Sequence, residues 1–363
     1  MIPIAKPIIE SEELENVKSV LSSGQLAQGK WVNDFEQQFA NYIGVKYAVA
    51  LCNGTVALDL ALKAIRIKQG DEVIVPAFTF IATANAVLFQ GAKPIFADVN
   101  EKTFNLDPES VKEKITKKTR TIIPVHLFGQ PADMRALMQI ADDHKMYVVE
   151  DCAQAHGAKY DGRRVGGFGL GTFSFYATKN ITTGEGGMVT TNDEQVAKKL
   201  KLLRDHGQSE KYLHTELGYN YRMTNIAAAI GIAQLAKLEK WDEKRRKNAE
   251  YLNEHLGGVK GIVTPYVAAN TEHVYHQYVI KVEREFGKTR EQLKDELAKR
   301  GIGSALHYPL AVHQQPLYKN LGYKTNCTVS ERLANKVLSL PVHPGLSTEQ
   351  LEQIPKTIEE ISR

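Results

Sequence analysis

The 363-residue chain contains few cysteines, no long apolar run and little excess charge of either sign. Its three cysteines, Cys52, Cys152 and Cys327, have no metal-site spacing and leave one over if a disulfide forms, which favours a reducing compartment and no metal centre. No segment approaches the roughly twenty apolar residues that cross a bilayer, and no secretory signal precedes Met1-Ile2-Pro3-Ile4. We therefore expect a soluble, cytoplasmic protein without a membrane partner.

The charge balance and the length exclude further classes. Forty-six Lys and Arg residues against forty-two Asp and Glu residues give a net charge of +4, which is spread along the chain. Because there is neither a basic stripe nor a recognisable reading helix, nucleic acid is the weakest candidate partner. A chain of 363 residues with 43% hydrophobic content exceeds the size at which single cores usually stop growing, so we expect one large and one small domain.

Short apolar runs rich in β-branched residues alternate with helical stretches in the first half of the chain. This is the pattern of parallel strands joined by crossover helices, and it predicts an α/β fold with a mostly parallel sheet. The predicted strands are Tyr47–Leu51, Glu72–Val75, Pro94–Ala97, Thr121–Val125 and Tyr147–Val149, with a further strand at Met188–Thr191.

A long amphipathic segment follows this region. Apolar residues recur at helix spacing from Asn225 to Tyr251, and Gly257-Gly258 breaks the chain after them. Beyond the break, the pattern predicts a smaller α+β domain built from Tyr278–Val282, Thr289–Lys299 and Gly301–His307. We assign residues 1–250 to the large domain and residues 251–363 to the small C-terminal domain.

Lys179 lies at the mouth of an apolar strand, and the glycine-containing loop Thr183–Gly187 follows it closely. Desolvation of such an amine lowers its pKa toward the range in which the free amine is a nucleophile, so Lys179 is suited to form a Schiff base with an aldehyde cofactor. Ser174, five residues earlier, would place a hydroxyl on the phosphate of that cofactor. The pattern indicates pyridoxal phosphate (PLP) chemistry. The alternative is a surface lysine that snorkels at a strand end.

A second phosphate signal lies at Asn53-Gly54-Thr55, which follows a strand and opens a helical run. Free backbone N–H groups and the helix dipole make such a helix start an anion site. The same residues are also typical of ordinary helix capping by Asn53 or Thr55. Ser174 favours the phosphate interpretation, because it would supply a second hydroxyl to the same ligand.

Glu150 and Asp151 follow the predicted strand Tyr147–Val149, so Asp151 should face the crevice in which a parallel sheet binds ligands. It is suited to keep a pyridine nitrogen protonated, which makes the ring an electron sink, and Gln154 would bond the ring hydroxyl. The alternative is a second helix cap, with Glu150 exposed to solvent. We expect His156 to pack near the site rather than act as a base, because Lys179 can transfer the proton itself.

Phe80 lies at another strand-to-helix turn, two residues after Phe78. Its ring is suited to stack offset on the cofactor ring, while Phe78 is expected to belong to the core. Phenylalanines are usually core residues, so this assignment depends on the neighbouring motifs.

Together these segments resemble the DegT/DnrJ/StrS family of sugar aminotransferases, from Ile4 to the terminal helix. The resemblance implies an enzyme of PLP fold type I, the aspartate aminotransferase kind, that works as a homodimer. It implies that Lys179 binds PLP covalently, that Asp151 faces the ring nitrogen, and that Gln154 and Ser174 contact the ring hydroxyl and the phosphate. Relatives that dehydrate the sugar carry histidine at the lysine position, so transamination is the expected activity.

The segment Gly218–Asn225 is similar to that of perosamine-synthase-type enzymes, which implies a 4-keto-6-deoxy sugar nucleotide as acceptor and glutamate as donor. Asn220 lies where the family uses an asparagine of the neighbouring subunit to complete the phosphate site, although the residue alone is typical of a turn. Arg222 is a candidate for a substrate carboxylate or phosphate, or for the dimer interface. Tyr308 and His313 are candidates for the sugar pocket, or for a loop held rigid by two prolines.

Two alternatives remain from the sequence. The acceptor is alternatively a 3-keto sugar nucleotide or a keto-cyclitol, which a substrate panel would distinguish. A non-catalytic regulatory protein is the alternative of another class, and a protein that stays colourless with PLP would favour it. Because Lys179, Asp151 and Ser174 are all present, no lost catalytic group supports the regulatory alternative. The resemblance implies an aminotransferase of amino-sugar and polysaccharide biosynthesis.

Overall fold

The computed structural model describes residues 1–363. The strands are β1 Tyr47–Leu51, β2 Glu72–Pro76, β3 Lys93–Ala97, β4 Thr119–Ile122, β5 Tyr147–Asp151, β6 Lys159–Tyr160, β7 Arg163–Arg164, β8 Leu170–Ser174, β9 Gly187–Thr191, β10 Gln208–Glu210, β11 Leu213–His214, β12 Ile262–Val263, β13 Thr271–Glu272, β14 Tyr278–Val282 and β15 Val337–Leu340. The α-helices are α1 Ser11–Ser23, α2 Lys30–Ile43, α3 Gly54–Ala64, α4 Ala82–Phe89, α5 Pro108–Lys114, α6 Met134–His144, α7 Glu194–Arg204, α8 Asn225–Leu256, α9 Arg290–Lys299, α10 Pro316–Asn320, α11 Thr328–Leu333 and α12 Thr348–Ser362.

A seven-stranded sheet forms the centre of the molecule, in the order β1-β9-β8-β5-β4-β2-β3. Strand β9 pairs antiparallel with both of its neighbours, and the remaining pairs are parallel. The predicted α/β fold with a mostly parallel sheet is therefore confirmed. None of the helices combines the length and the apolar composition that crossing a membrane requires.

All six predicted strands are present, and the largest difference in bounds is at β4, which ends at Ile122 rather than Val125. Pro124 follows and has no N–H to donate to the ladder, so regular pairing stops there. Its carbonyl still accepts the N–H of Asp151 at 2.8 Å, and Val125 forms an isolated bridge with the same residue. Pro124 and Val125, which follow β4, therefore hold Asp151 in place at the end of β5, and Asp151 is the acid predicted for the site.

The predicted amphipathic helix is α8, which continues five residues beyond Tyr251. It begins after Thr224, whose hydroxyl accepts the N–H of Ala227 at 3.2 Å and so caps the first turn. Helices α1, α2 and α12 pack along it. Because α8 packs against helices from both ends of the chain, it joins the sheet to the C-terminal part of the molecule.

A separate apolar core forms around β14, which pairs antiparallel with β12 and β15. The predicted helix is α9, which starts at Arg290 with Thr289 as its N-cap. Ile2 belongs to the same core and forms a parallel bridge with Ile302. The first residues of the chain thus pack with some of the last.

A cluster of four phenylalanines packs on the face of the sheet that α2 covers. The ring centroid of Phe39 lies 4.9 Å from that of Phe173, 5.4 Å from that of Phe175 and 5.9 Å from that of Phe35, and all four side chains are buried. Side chains alternate along a strand, so Ser174 points to the opposite side from its two phenylalanine neighbours. The Ser174 side chain therefore points away from the phenylalanine cluster, to the other face of the sheet.

We expect Phe39→Ala to lower the free energy of unfolding by about 3–5 kcal/mol, because it removes a fully buried ring and leaves a cavity. Phe89→Ala is the matched control, since that ring is 60% exposed, and its effect should stay within about 0.5 kcal/mol. Urea unfolding followed by circular dichroism measures both. Equal losses in the two variants would contradict the central position of Phe39.

Candidate active site

A cavity of about 640 Å³ opens beside the carboxyl ends of β5 and β8. This is where a parallel sheet is expected to bind a ligand, because the loops after neighbouring strands meet there. Its lining includes eight of the residues singled out from the sequence, namely Gly54, Thr55, Phe80, Asp151, Gln154, Ser174, Lys179 and Tyr308. The structure therefore gathers residues from five separate stretches of the chain into one site.

Lys179 follows β8 in a tight turn, in which its N–H donates to the carbonyl of Tyr176 at 2.9 Å. The residue is half-buried, and its side chain reaches the cavity. Burial lowers the pKa of the amine to about 8, and the negative charge of Asp151 opposes that shift. Roughly a tenth of the amine is therefore free at pH 7, far more than for a lysine with its ordinary pKa, and the free amine is the form that a nucleophilic lysine requires.

Asp151 is the last residue of β5 and is 6% exposed. Its Oδ2 accepts the hydroxyl of Thr83 at 2.8 Å, and its Oδ1 accepts the backbone N–H of Ala153 at 3.1 Å. Burial raises the pKa of the carboxyl, whereas these two hydrogen bonds and the charge of Lys179 lower it. The carboxylate is thus held in a fixed orientation at the rim of the cavity.

The N-terminus of α3 borders the other end of the cavity. Asn53 caps this helix, since its Oδ1 accepts the N–H of Val56 at 2.9 Å, so the capping interpretation is correct for Asn53. Gly54 and Thr55 begin the helix and line the cavity together with Ser174. A Cβ on Gly54 would lie 2.5 Å from the Cβ of Ser174, so only glycine permits this approach. The helix start and the serine hydroxyl therefore adjoin, as an anion site requires.

Gln154 and Tyr308 form a hydrogen-bonded pair across the cavity. The Oε1 of Gln154 accepts the N–H of Phe128 at 2.8 Å, and its Nε2 donates to the Tyr308 hydroxyl at 3.0 Å. The ring of Phe80 lies 6.1 Å from that of Tyr308 and is 55% exposed, whereas Phe78 is buried as predicted. Phe80 thus presents an apolar face beside the pair, where a flat ring can stack.

His313 does not line the cavity of its own chain, and its place in the sugar pocket remains a prediction. Its ring is buried, its Nε2 lies 3.0 Å from the carboxylate of Glu331, and it packs 5.9 Å from the ring of Phe96. The loop interpretation describes this residue better, because its ring is held by contacts within the protein.

Asn220 and Arg222 also lie outside the cavity of their own chain. Asn220 is exposed, and Arg222 pairs with the carboxylate of Asp205. The tyrosines on either side, Tyr219 and Tyr221, stack on each other with ring centroids 4.5 Å apart and pack against the core. Alternation along this extended segment turns Asn220 and Arg222 to the other side. A role in the site of a second subunit remains a prediction.

Glu150 and His156 also lie near the site, and the sequence carried an expectation for each of them. Glu150 is fully buried rather than solvated, because its carboxylate accepts the N–H groups of Gly166, Phe168 and Gly169, each at 2.8 Å. His156 packs as predicted, 5.6 Å from the rings of two phenylalanines, and burial lowers its pKa to about 3. It is therefore a neutral packing residue beneath the site.

The cavity has lining residues that sequence reasoning missed, among them Thr79, His276, Gln277 and His307. The three C-terminal ones are held by hydrogen bonds. The Nε2 of Gln277 lies 3.2 Å from the Nε2 of His307, and the Nδ1 of His276 lies 3.1 Å from the Oδ1 of Asn180. The only sequence signal was the concentration of His and Gln after residue 272. That signal does not indicate which cavity the residues face.

The residues present fit pyridoxal phosphate. Lys179 offers an amine for its aldehyde, the α3 terminus with Ser174 offers N–H and hydroxyl donors for its phosphate, and Asp151 offers a carboxylate for its ring nitrogen. Gly54 lies so close to Ser174 that a side chain at residue 54 would occupy the space between them. Because residue 54 is glycine, this space at the helix start is open to an anion.

We expect Gly54→Ala to weaken PLP affinity about tenfold or more, because the added methyl collides with Ser174 at the phosphate end. Gly258→Ala is the matched control, since a Cβ at that position meets nothing within 4 Å. Titration of the apoprotein with PLP, followed by absorbance, gives both dissociation constants. Unchanged affinity in the Gly54 variant would exclude a phosphate site at this helix.

The lowered pKa of Lys179 predicts how PLP capture depends on pH. Only the free amine attacks the aldehyde, so the capture rate of the apoprotein should rise with pH and level off above about 8. Stopped-flow absorbance after mixing with PLP measures this rate, and a free lysine derivative is the control, with a rise that continues toward pH 10 or so. A protein rate that still climbs at that pH would contradict a desolvated lysine.

Solved structures and curated relatives share this architecture along nearly the whole chain. UDP-N-acetyl-3-dehydro-alpha-D-glucosamine 3-aminotransferase of Acidithiobacillus ferrooxidans is 41% identical and covers 96% of this chain and 94% of its own. GDP-perosamine synthase of Vibrio cholerae is 38% identical and covers 98% and 97%. Spr1654 of Streptococcus pneumoniae, solved in a PMP form, superposes with a TM-score of 0.94 at 30% identity and covers 99% and 97%.

The model of the DegT/DnrJ/EryC1/StrS aminotransferase family matches residues 7–359. The resemblance noted from the motifs is thereby confirmed over almost the full length. Together with the site geometry, this match establishes the enzyme class and the cofactor. The chain belongs to the DegT/DnrJ/EryC1/StrS family and is a PLP-dependent sugar aminotransferase.

Proposed function

We propose that this enzyme transfers the amino group of glutamate to C4 of a 4-keto-6-deoxy sugar nucleotide. The observation that carries the proposal is the meeting of Lys179 and Asp151 in one cavity, with the N-terminus of α3 and Ser174 at its other end. Bound PLP supplies an aldehyde that forms a Schiff base with amines and a ring that withdraws electrons from the neighbouring carbon.

Lys179 performs the proton transfers. Its amine would hold the cofactor in the cavity, and when it is not bound to the cofactor it would be free to accept and donate protons there. Once released, an amine with a pKa of about 8 takes up and returns a proton at nearly equal cost near neutral pH. The same group therefore serves both halves of the reaction, which differ only in the direction of the proton.

The other cavity residues hold the reacting groups in place. Asp151 pairs with the ring nitrogen, and Gln154 keeps a second N–H free for the ring hydroxyl, because its Nε2 carries two hydrogens and Tyr308 accepts one of them. Phe80, which lines the same cavity, would stack on the ring. These assignments are supported by the position of each side chain in the cavity.

We propose a homodimer in which Asn220 of a second copy completes the phosphate site. Asn220 and Arg222 face away from the cavity of their own chain and are accessible to a second subunit. Arg222 then supplies a cation near the shared edge, where the nucleotide diphosphate or a glutamate carboxylate is accommodated.

Three unpaired cysteines support a cytoplasmic location, since a reducing compartment keeps them free.

The position of the keto group separates two candidate acceptors. The segment 218–225, with its similarity to perosamine-synthase-type enzymes, and the relative named GDP-perosamine synthase favour C4. A 3-keto sugar nucleotide is the second candidate, because a relative of slightly higher identity is named for amination at C3. The amino-sugar product of either reaction fits polysaccharide biosynthesis.

The absorbance of the bound cofactor tests both half-reactions. We expect a visible band with PLP that fades when glutamate is added and returns with a 4-keto-6-deoxy sugar nucleotide. A band that fades with glutamate and returns only with a 3-keto sugar nucleotide would place the reaction at C3 instead. Failure to fade with glutamate would exclude it as donor, and other amino acids are then tested in the same cuvette.

Lys179→Ala provides the control for the chemical role of the lysine. It should show no visible band and at least a thousandfold lower turnover, because no other amine in the cavity lining replaces it. Lys63→Ala is the matched control, since that lysine contacts Tyr219 outside the cavity. Substantial turnover by the Lys179 variant would contradict the proposed mechanism.

A further inference from the structure

Two buried hydroxyls form a hydrogen-bonded chain that ends at Asp151, and the first of them belongs to Thr79, which also lines the cavity. The Oγ1 of Thr83 lies 2.8 Å from the Oδ2 of Asp151, and the Oγ1 of Thr79 lies 3.3 Å from that of Thr83. Thr79 is 3% exposed and Thr83 is fully buried. Neither residue was singled out from the sequence, and neither offers a group that reacts.

The direction of each hydrogen bond follows from the chemistry of the partners. A carboxylate has no proton to give, so Thr83 donates its only hydroxyl hydrogen to Asp151. The oxygen of Thr83 is then an acceptor, and Thr79 is the donor that faces it. The chain of donors therefore runs in one direction, from Thr79 through Thr83 to Asp151.

Bonds of this kind favour the ionised carboxylate. Asp151 lies in a buried position that disfavours negative charge, and the donors that offset this cost are the Thr83 hydroxyl and the N–H of Ala153. Lys179 and His126 are the titratable groups whose charge acts on the same carboxylate. Of all these groups, only Thr83 donates a side-chain hydrogen bond to it.

The fold explains why the donor is rigid. Thr83 belongs to the first turn of α4, and Thr79 lies in the preceding turn from β2, the strand next to β4 in the sheet. A threonine in a helix has few χ1 rotamers, so its hydroxyl keeps its direction. Asp151 in turn is fixed by the sheet and by the bond from its N–H to Pro124.

We propose that Thr83, oriented by Thr79, is a positioning residue that keeps Asp151 ionised and turned toward the cavity. The inference rests on the proposed pairing of Asp151 with the ring nitrogen of PLP. The site then includes the first turn of α4, whose Thr83 holds Asp151, in addition to the residues that contact the cofactor. Loss of the hydroxyl weakens the carboxylate as a partner for the protonated ring.

The test compares Thr83→Val with Thr83→Ser in the dimeric holoenzyme and the apoprotein. Hydrogen bonds to charged groups contribute enough that we expect the valine variant to lose about tenfold or more in PLP affinity and in kcat, with KM for glutamate changed less than about threefold. The serine variant keeps the hydroxyl and should recover to within about twofold of the parent protein. A structural role of the methyl group alone would spare the valine variant and impair the serine variant, which would overturn the proposal.

Thr121→Val is the matched control, because the Thr121 hydroxyl is buried on β4 without any hydrogen-bond partner. Its PLP affinity should equal that of the parent protein. Thr79→Val should show a smaller loss than Thr83→Val and of the same kind. If Thr83→Val does not accumulate in folded form, Thr79→Val and Thr83→Ser decide the question by the same titration.

Asp151→Ala separates this inference from the proposed function. Impaired PLP binding in the Asp151 variant together with a normal Thr83→Val protein would leave the proposed function intact and overturn the role of Thr83. Normal PLP binding and turnover in the Asp151 variant would overturn the assigned role of Asp151 and the inference with it. Impairment of both variants, with full recovery in Thr83→Ser, supports both.

Discussion

Removal of one carboxylate and one amine from water at the same edge of the sheet is the constraint on which this enzyme depends. Burial makes the charge on Asp151 costly and the charge on Lys179 costly too, and each charge offsets part of the penalty of the other. The balance leaves Lys179 with a pKa of about 8, close to the pH at which it must exchange protons. Neither residue would have this character on an exposed surface.

Around Asp151 and Lys179, helix α3 and strands β8 and β9 bring backbone groups close to the place where the ligand binds. Gly54 and Gly187 allow α3 to approach β8 and β9 so closely that an added Cβ at Gly187 would lie 2.2 Å from the carbonyl of Asn53. The helix start thereby reaches the strand that ends in Ser174 and leads to Lys179. The phenylalanine cluster on the other face holds that strand in place, so the geometry of the site depends on core packing as well as on its polar residues.

Much of the site could be predicted from short sequence patterns around single strands. The remaining residues reach the cavity through contacts between distant parts of the chain, which such patterns do not reveal. Asp151 and Ser174 each end a strand, and Lys179 lies in the turn that follows Ser174. Because parallel strands bring their carboxyl ends together, the meeting of these residues was predictable. His276 and His307 reach the cavity from the C-terminal core, whose placement against the sheet depends on the packing of α8. His313 has the same composition signal but pairs with Glu331, a contact that sequence spacing does not reveal.

The pairing of Ile2 with Ile302 gives the molecule an order of assembly during synthesis. The backbone of Ile2 exchanges hydrogen bonds with Gly301 and Gly303, at 2.7 and 2.8 Å, so this contact joins segments roughly 300 positions apart. At about 5–20 residues per second on the ribosome, the first segment waits some fifteen to sixty seconds for its partner. Seventeen of the twenty-one residues that line the cavity, Lys179 and Asp151 among them, are synthesised before His276, and His307 and Tyr308 are the last of the lining to be added.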